Sequence, residues 1–96
     1  MLLNQLRQMD SRLNSLVAQF GASRLRVFGS VARGEETADS DVDFLVDLPR
    51  GYDLFGQRLP LAQGLEELLH RKVDLLPEHE LNPHMRAQVL AEAVPL

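Results

Sequence analysis

The stretch Asp41-Val42-Asp43-Phe44-Leu45-Val46-Asp47-Leu48 alternates so regularly that an extended strand is the one conformation that sorts it. Side chains two apart on a strand share a face, so Val42, Phe44, Val46 and Leu48 lie on one side and Asp41, Asp43, Leu45 and Asp47 on the other. Such a strand needs an apolar layer against its first face and leaves carboxylates on its second, which demands a sheet with unequal faces. The spacing starts this strand near Ser40 and closes it at Pro49-Arg50-Gly51.

The flanking segments supply the layers. Leu2, Leu3, Leu6, Met9, Leu13, Leu16, Val17 and Phe20 recur at helical spacing, predicting one amphipathic helix that ends at Gly21. Leu25-Arg26-Val27-Phe28 reads as a strand running into a sharp turn at Gly29-Ser30. Ser30 is expected to cap a brief helical turn through Val31-Ala32-Arg33, stopped by Gly34. Leu54, Phe55, Leu61, Ala62, Leu65, Leu68 and Leu69 form a second helical stripe, kinked or restarted at Pro60, weakened by Gly64 and ending near His70. Arg71 to Pro77 reads as a third, largely buried strand. Asn82-Pro83 opens a last helix with Met85, Val89 and Leu90 on its apolar side. The order α-β-α-β-α-β-α predicts an α/β or α+β layer fold with three strands covered by helices.

With 96 residues, 45% of them hydrophobic, the chain suffices for one core, so residues 1–96 are expected to form a single domain. The absence of cysteine excludes thiolate catalysis and Cys-ligated metals. Ten Lys+Arg against fourteen Asp+Glu give a formal charge of −4, which argues against direct nucleic-acid binding. No run approaches the roughly 18 apolar residues of a membrane span, and the first residues lack the pattern of a secretion signal, so the cytoplasm is the expected location. Surplus apolar area on the helices is expected to serve a homo- or hetero-oligomeric interface.

Charge is concentrated where chemistry is expected. Between Gly34 and Pro49 stand Glu35, Glu36, Asp39, Asp41, Asp43 and Asp47, with no Lys or Arg among them. Asp41 and Asp43 leave one face about 7 Å apart, close enough to repel and to share a divalent cation. Asp74, inside Val73-Asp74-Leu75-Leu76, is expected to be buried, where an unpaired carboxylate costs several kcal/mol and needs a cation or donor. If the third strand lies beside the second, Asp41, Asp43 and Asp74 form an oxygen-ligand cluster suited to Mg²⁺ or Mn²⁺ and poorly suited to zinc. Gly29 lets backbone approach a phosphate, Ser30 donates a hydroxyl, and Arg33 neutralises a non-bridging oxygen. That division of labour fits nucleotidyl transfer, with Asp74 as general base.

The run Phe28-Gly29-Ser30-Val31-Ala32-Arg33-Gly34, then Ser40-Asp41-Val42-Asp43-Phe44, then Lys72-Val73-Asp74-Leu75-Leu76 resembles the minimal nucleotidyltransferase domains of the DNA polymerase beta superfamily. The Asn82-Pro83 helix and the tail Ala91-Glu92-Ala93-Val94-Pro95-Leu96 are similar as well. The resemblance implies a mixed three- to four-stranded sheet with helices on one face. It implies two divalent ions on Asp41 and Asp43 with Asp74 completing the site, and Gly29, Ser30, Arg33 and Ser40 around a nucleoside triphosphate. ATP is the implied donor, Mg²⁺ or Mn²⁺ the implied ion, and a HEPN-domain ribonuclease toxin the implied partner, silenced by AMP transfer. The same resemblance admits a non-catalytic antitoxin that works by occlusion; transfer to a small molecule such as an aminoglycoside is weaker, since no acceptor pocket can be read.

Blander readings exist for each residue. Gly29-Ser30 is also an ordinary turn, Asp41 and Asp43 also the solvent face of an edge strand, and Asp74 also half of an ion pair with Arg33 or Lys72. Glu35, Glu36 and Asp39 read as a solvated loop and Asp47 as a strand-end charge. His70, His79 and His84 lack zinc spacing. Tyr52 reads as a cap on the core edge before a base-stacking platform.

Overall fold

Strand register organises the molecule. The computed structural model describes residues 1–96 and contains β1 (Ser23–Phe28), β2 (Val42–Asp47), β3 (Val73–Pro77) and a two-residue β4 (Val94–Pro95) in the order β3-β2-β1-β4. β1 pairs antiparallel with β2 and with β4, whereas β2 and β3 run parallel. The sheet is therefore mixed, with one strand more than the sequence pattern alone displays. β4 is too short to carry a period and exists because the chain after the last helix returns along β1.

Five α-helices accompany it: α1 (Leu2–Gln8), α2 (Asp10–Gln19), α3 (Gly29–Arg33), α4 (Leu59–Leu69) and α5 (Pro83–Glu92). The single N-terminal helix expected from Leu2 to Phe20 is broken at Met9, which leaves helical geometry at φ −103° and ψ 10°. The apolar stripe survives the break, since Leu3, Leu6, Leu13 and Val17 are all buried. The restart expected at Pro60 also occurs: a π-helical turn, Leu54–Arg58, feeds α4 with Pro60 in its first turn. Gly64, which weakens the helical pattern, is needed for contact. A Cβ there would sit 3.0 Å from Leu16 Cδ2, so glycine lets α4 approach α2.

Alternation sorts the two faces of the sheet as expected. Leu25, Val27, Val42, Phe44, Val46 and Leu75 join the buried residues of α1, α2 and α4 in the main core. Each fully buried Leu or Phe contributes about 1.5–3 kcal/mol. The opposite face is covered too, against the expectation of helices on one face only: Leu45, Leu81 and Val89 form a smaller cluster with Phe28, Leu76 and Ala93. α5 supplies just Val89 to it, leaving Met85 and Leu90 exposed rather than in the core. Asn82 caps α5 as expected, its side chain accepting from His84 N–H at 2.9 Å. No helix is long and apolar enough to cross a membrane.

Candidate active site

Parallel pairing of β2 with β3 sets Asp43 directly beside Asp74, with backbones about 4.8 Å apart. Both point to the second face, because their neighbours Phe44 and Leu75 point into the main core. Asp41 lies just before β2, which starts at Val42 rather than Ser40, where Val42 N–H bonds to Lys72 C=O at 2.9 Å. Asp43 is half-buried, while Asp41 and Asp74 are exposed. The expected burial of Asp74 is therefore corrected. β3 is an edge strand whose outer end opens to solvent, so no desolvation penalty demands a partner for Asp74.

The electrostatics still single out this end of the sheet. Burial raises the pKa of Asp43 above the ordinary carboxylate value, and the charges of Asp74 and Asp41 raise it further. At the other end of the same face, Arg26 is buried against Asp47 at 2.8 Å and against Glu78, and Arg24 also reaches Asp47, at 3.2 Å. Cations are thus placed on Asp47 and Glu78, while Asp41, Asp43 and Asp74 pair with neither Arg33 nor Lys72. Asp47 is correspondingly more than a strand-end charge.

Gly29 occupies the turn between β1 and α3 at φ +73°. A Cβ on it would overlap Asp43 Oδ2 and come within 3.2 Å of Asp43 Cγ, so the carboxylate leans over the glycine turn. Glycine is required here for two reasons: a left-handed backbone and the absence of a side chain in space that Asp43 uses. Ser30 does not cap α3 but lies inside it; Phe28, the residue before the helix, occupies the cap position without a side-chain bond, and the Ser30 C=O accepts from Glu35 N–H at 2.8 Å. Arg33 is exposed and tied to Glu35 at 2.7 Å and Glu92 at 3.0 Å, which raises its pKa. Ser40 turns its hydroxyl onto Thr37 N–H at 2.8 Å and lines an open hollow with Asp41, His70 and Lys72.

As they stand, no three His, Asp or Glu side chains surround one point, so the expected three-ligand cluster is not a closed cage. The donor set nonetheless suits a hard divalent ion. Asp43 and Asp74 offer oxygen only, stand side by side and form no ion pair, Arg33 acting on Asp43 only from a distance. Mg²⁺ characteristically takes one or two carboxylates and completes its shell with water and substrate phosphate.

Residues 6–96 match the family described as the nucleotidyltransferase domain. The chain belongs to this family. It is 41% identical over 76 residues to the protein adenylyltransferase MntA of Thermococcus cleftensis, covering 79% of this chain and 76% of the relative. A solved structure provisionally assigned as a minimal nucleotidyltransferase is similar with a TM-score of 0.84 and 48% identity, over 98% of this chain and 95% of the other. A crystal structure of a toxin–antitoxin pair, MntA–HpeT, is similar with a TM-score of 0.67 and 25% identity, over 91% of this chain and 70% of the other.

Three acidic residues of this nucleotidyltransferase have partners that sequence reasoning did not foresee. Glu92, the last residue of α5, accepts from Gly29 N–H at 2.6 Å and binds Arg33 through both oxygens. Its only sequence cue is a lone charge between Ala91 and Ala93. Glu36 is half-buried rather than solvated: Oε2 faces Leu2 N–H at 3.4 Å, and Oε1 is buried without a partner. Glu78 is held by Arg26 and Arg86, which lower its pKa. Tyr52 is engaged by the fold, donating to Glu80 at 2.6 Å and accepting from Arg58 at 2.8 Å, in line with the core-edge reading.

Proposed function

We propose that the whole chain works as one catalytic domain that transfers AMP from ATP to a protein, and that the acceptor is a HEPN-type ribonuclease toxin silenced in the cytoplasm by this modification. The observation that carries the chemistry is the Asp43–Asp74 pair, free of any ion-pair partner and in register on parallel strands, with Asp43 leaning over Gly29. The protein acceptor and toxin partner are supported by kinship with an MntA adenylyltransferase and by likeness to the MntA–HpeT pair.

In this reading Asp41, Asp43 and Asp74 hold Mg²⁺ or Mn²⁺, which when bound neutralises charge developing around the α-phosphoryl group. Gly29 N–H, the Ser30 hydroxyl and Arg33 bind the β- and γ-phosphates, with Ser40 at the rim of the site. Asp74, exposed at the sheet edge, accepts the proton from the attacking acceptor hydroxyl. The hydroxyl oxygen bonds to the α-phosphorus, the bond to the bridging α–β oxygen breaks, and pyrophosphate leaves with that oxygen. Asp43 orients the reacting end from its place above the glycine turn.

The test is to co-express the chain with the product of its neighbouring gene and weigh that product. Transfer adds one AMP residue per modified site, and Asp43→Asn abolishes the gain. A partner of unchanged mass that is equally well neutralised by native chain and Asp43→Asn would establish occlusion instead.

A further inference from the structure

The phosphate-binding donors assigned above to Gly29 and Arg33 are already occupied by a carboxylate of the chain itself. Glu92 Oε1 accepts from Gly29 N–H at 2.6 Å, and Arg33 Nη1 donates to Oε1 and Oε2 at 3.1 and 3.0 Å. The Glu92 side chain is only 18% exposed, so it is settled between these donors. A planar carboxylate with two charge-assisted contacts presents to them what non-bridging phosphate oxygens would present. One Gly29 N–H cannot serve both anions fully. Glu92 also adds negative charge beside Asp43, so an entering triphosphate meets repulsion as well as an occupied donor.

The backbone around Glu92 is held, since β4 pairs with β1 and Val94 and Leu96 pack on the main core. The side chain is not: Glu92 ends α5, whose only buried residue is Val89, and its partner Arg33 is exposed, so rotation about the Glu92 side-chain bonds releases the carboxylate without disturbing the core.

We propose that Glu92 is an internal competitor for the phosphate tail: it withdraws when the triphosphate enters and returns when pyrophosphate departs. It thereby sets the affinity for donor and product rather than the rate of the chemical step. This inference rests on the nucleotidyl-transfer reading of the site. Apparent affinity is the intrinsic affinity multiplied by the open fraction, so a latch closed about 90% of the time weakens binding about tenfold.

The experiment is a calorimetric titration of the full chain, with Mg²⁺, using adenylyl imidodiphosphate in one arm and inorganic tripolyphosphate in the other. Glu92→Gln keeps the side-chain length and removes the charge; Glu92→Asp keeps the charge and draws it back from Gly29. Both are expected to bind each probe at least about fivefold more tightly than the native chain. Glu35→Gln removes a carboxylate from Arg33 without touching Gly29, and is expected to change either Kd by less than about twofold. In the native chain, the Glu92 carboxyl carbon resonance is expected to shift on adding tripolyphosphate, a readout that needs no variant. Weaker binding by the Glu92 variants overturns the inference, because Glu92 would then position Gly29 and Arg33 for the nucleotide. Equal tightening by Glu35→Gln and Glu92→Gln with no change in Glu92→Asp also overturns it, because general charge would then be the cause. If the folded native chain and every variant fail to bind either probe, the nucleotidyl-transfer reading itself falls.

Discussion

Replacing Gly29 with alanine tests the contact on which the site is built. The new methyl group meets two separable obstacles. The backbone sits at φ +73°, where an L side chain costs about 1–2 kcal/mol. The Cβ also overlaps Asp43 Oδ2, and a group forced into filled space costs a further 1–3 kcal/mol or so. The expected destabilisation of Gly29→Ala is therefore about 2–5 kcal/mol, a fall in melting temperature of roughly 10–25 °C for a chain of this size. Urea unfolding of four proteins completes the argument: native, Gly29→Ala, Asp43→Ala and the double variant. With Asp43 truncated the overlap disappears and only the backbone cost of about 1–2 kcal/mol remains, leaving a coupling energy of about 1–3 kcal/mol. An equal cost of Gly29→Ala in both backgrounds would refute the contact, and with it the claim that the carboxylate lies over the phosphate-binding turn.

Asp43→Asn is expected to abolish transfer yet stabilise the metal-free fold at neutral pH. Asp43's folded pKa is raised, so its destabilising effect is absent below the unfolded carboxylate value and grows as pH rises through the raised one. Urea unfolding at pH 7 and near pH 3.5 should show the variant's advantage at the higher pH alone. Arg26→Ala, which strips a buried cation from Asp47 and Glu78, is expected to cost about 2–3 kcal/mol, below the full price of a wholly buried pair because both carboxylates are partly exposed. Glu78's folded pKa is lowered, so its contribution is present above the unfolded carboxylate value and lost as pH falls through the folded one; Arg26→Ala should flatten that dependence. Asp74→Asn is expected to lower kcat about 10²–10⁴-fold with little change in the KM for ATP, as removal of a general base does; an unchanged kcat would assign the proton elsewhere.

Local periodicity carried much of the fold. Val42, Phe44 and Val46 did face the core, and Asn82 did cap α5. What escaped were features decided by distant partners. The break at Met9 lies inside an uninterrupted apolar stripe, β4 has no length for a pattern, and Gly64 reads as a weakness until Leu16 arrives beside it. The site divides in the same way. Alternation was enough to put Asp43 on the face away from Phe44, but the meeting of Asp74 with Asp43 was conditional on the third strand lying beside the second, which the parallel register supplies. Burial of Asp74 was misjudged, since its apolar neighbours say nothing about whether the strand is central or at an edge. Glu92 was missed because it bonds Gly29 across 63 residues, a separation at which sequence offers no periodic signal.

The central claim is that attack occurs at the α-phosphorus of ATP and that Asp43 and Asp74 support it. The most direct measurement compares α-labelled with γ-labelled ATP, incubated with Mg²⁺, the chain and the co-expressed product of its neighbouring gene. The account predicts label on the acceptor protein from α-labelled ATP only, released pyrophosphate carrying the γ label, and neither in Asp43→Asn or Asp74→Asn. Acceptor labelled from γ-labelled ATP, or equal α-labelling by the two variants, would contradict it.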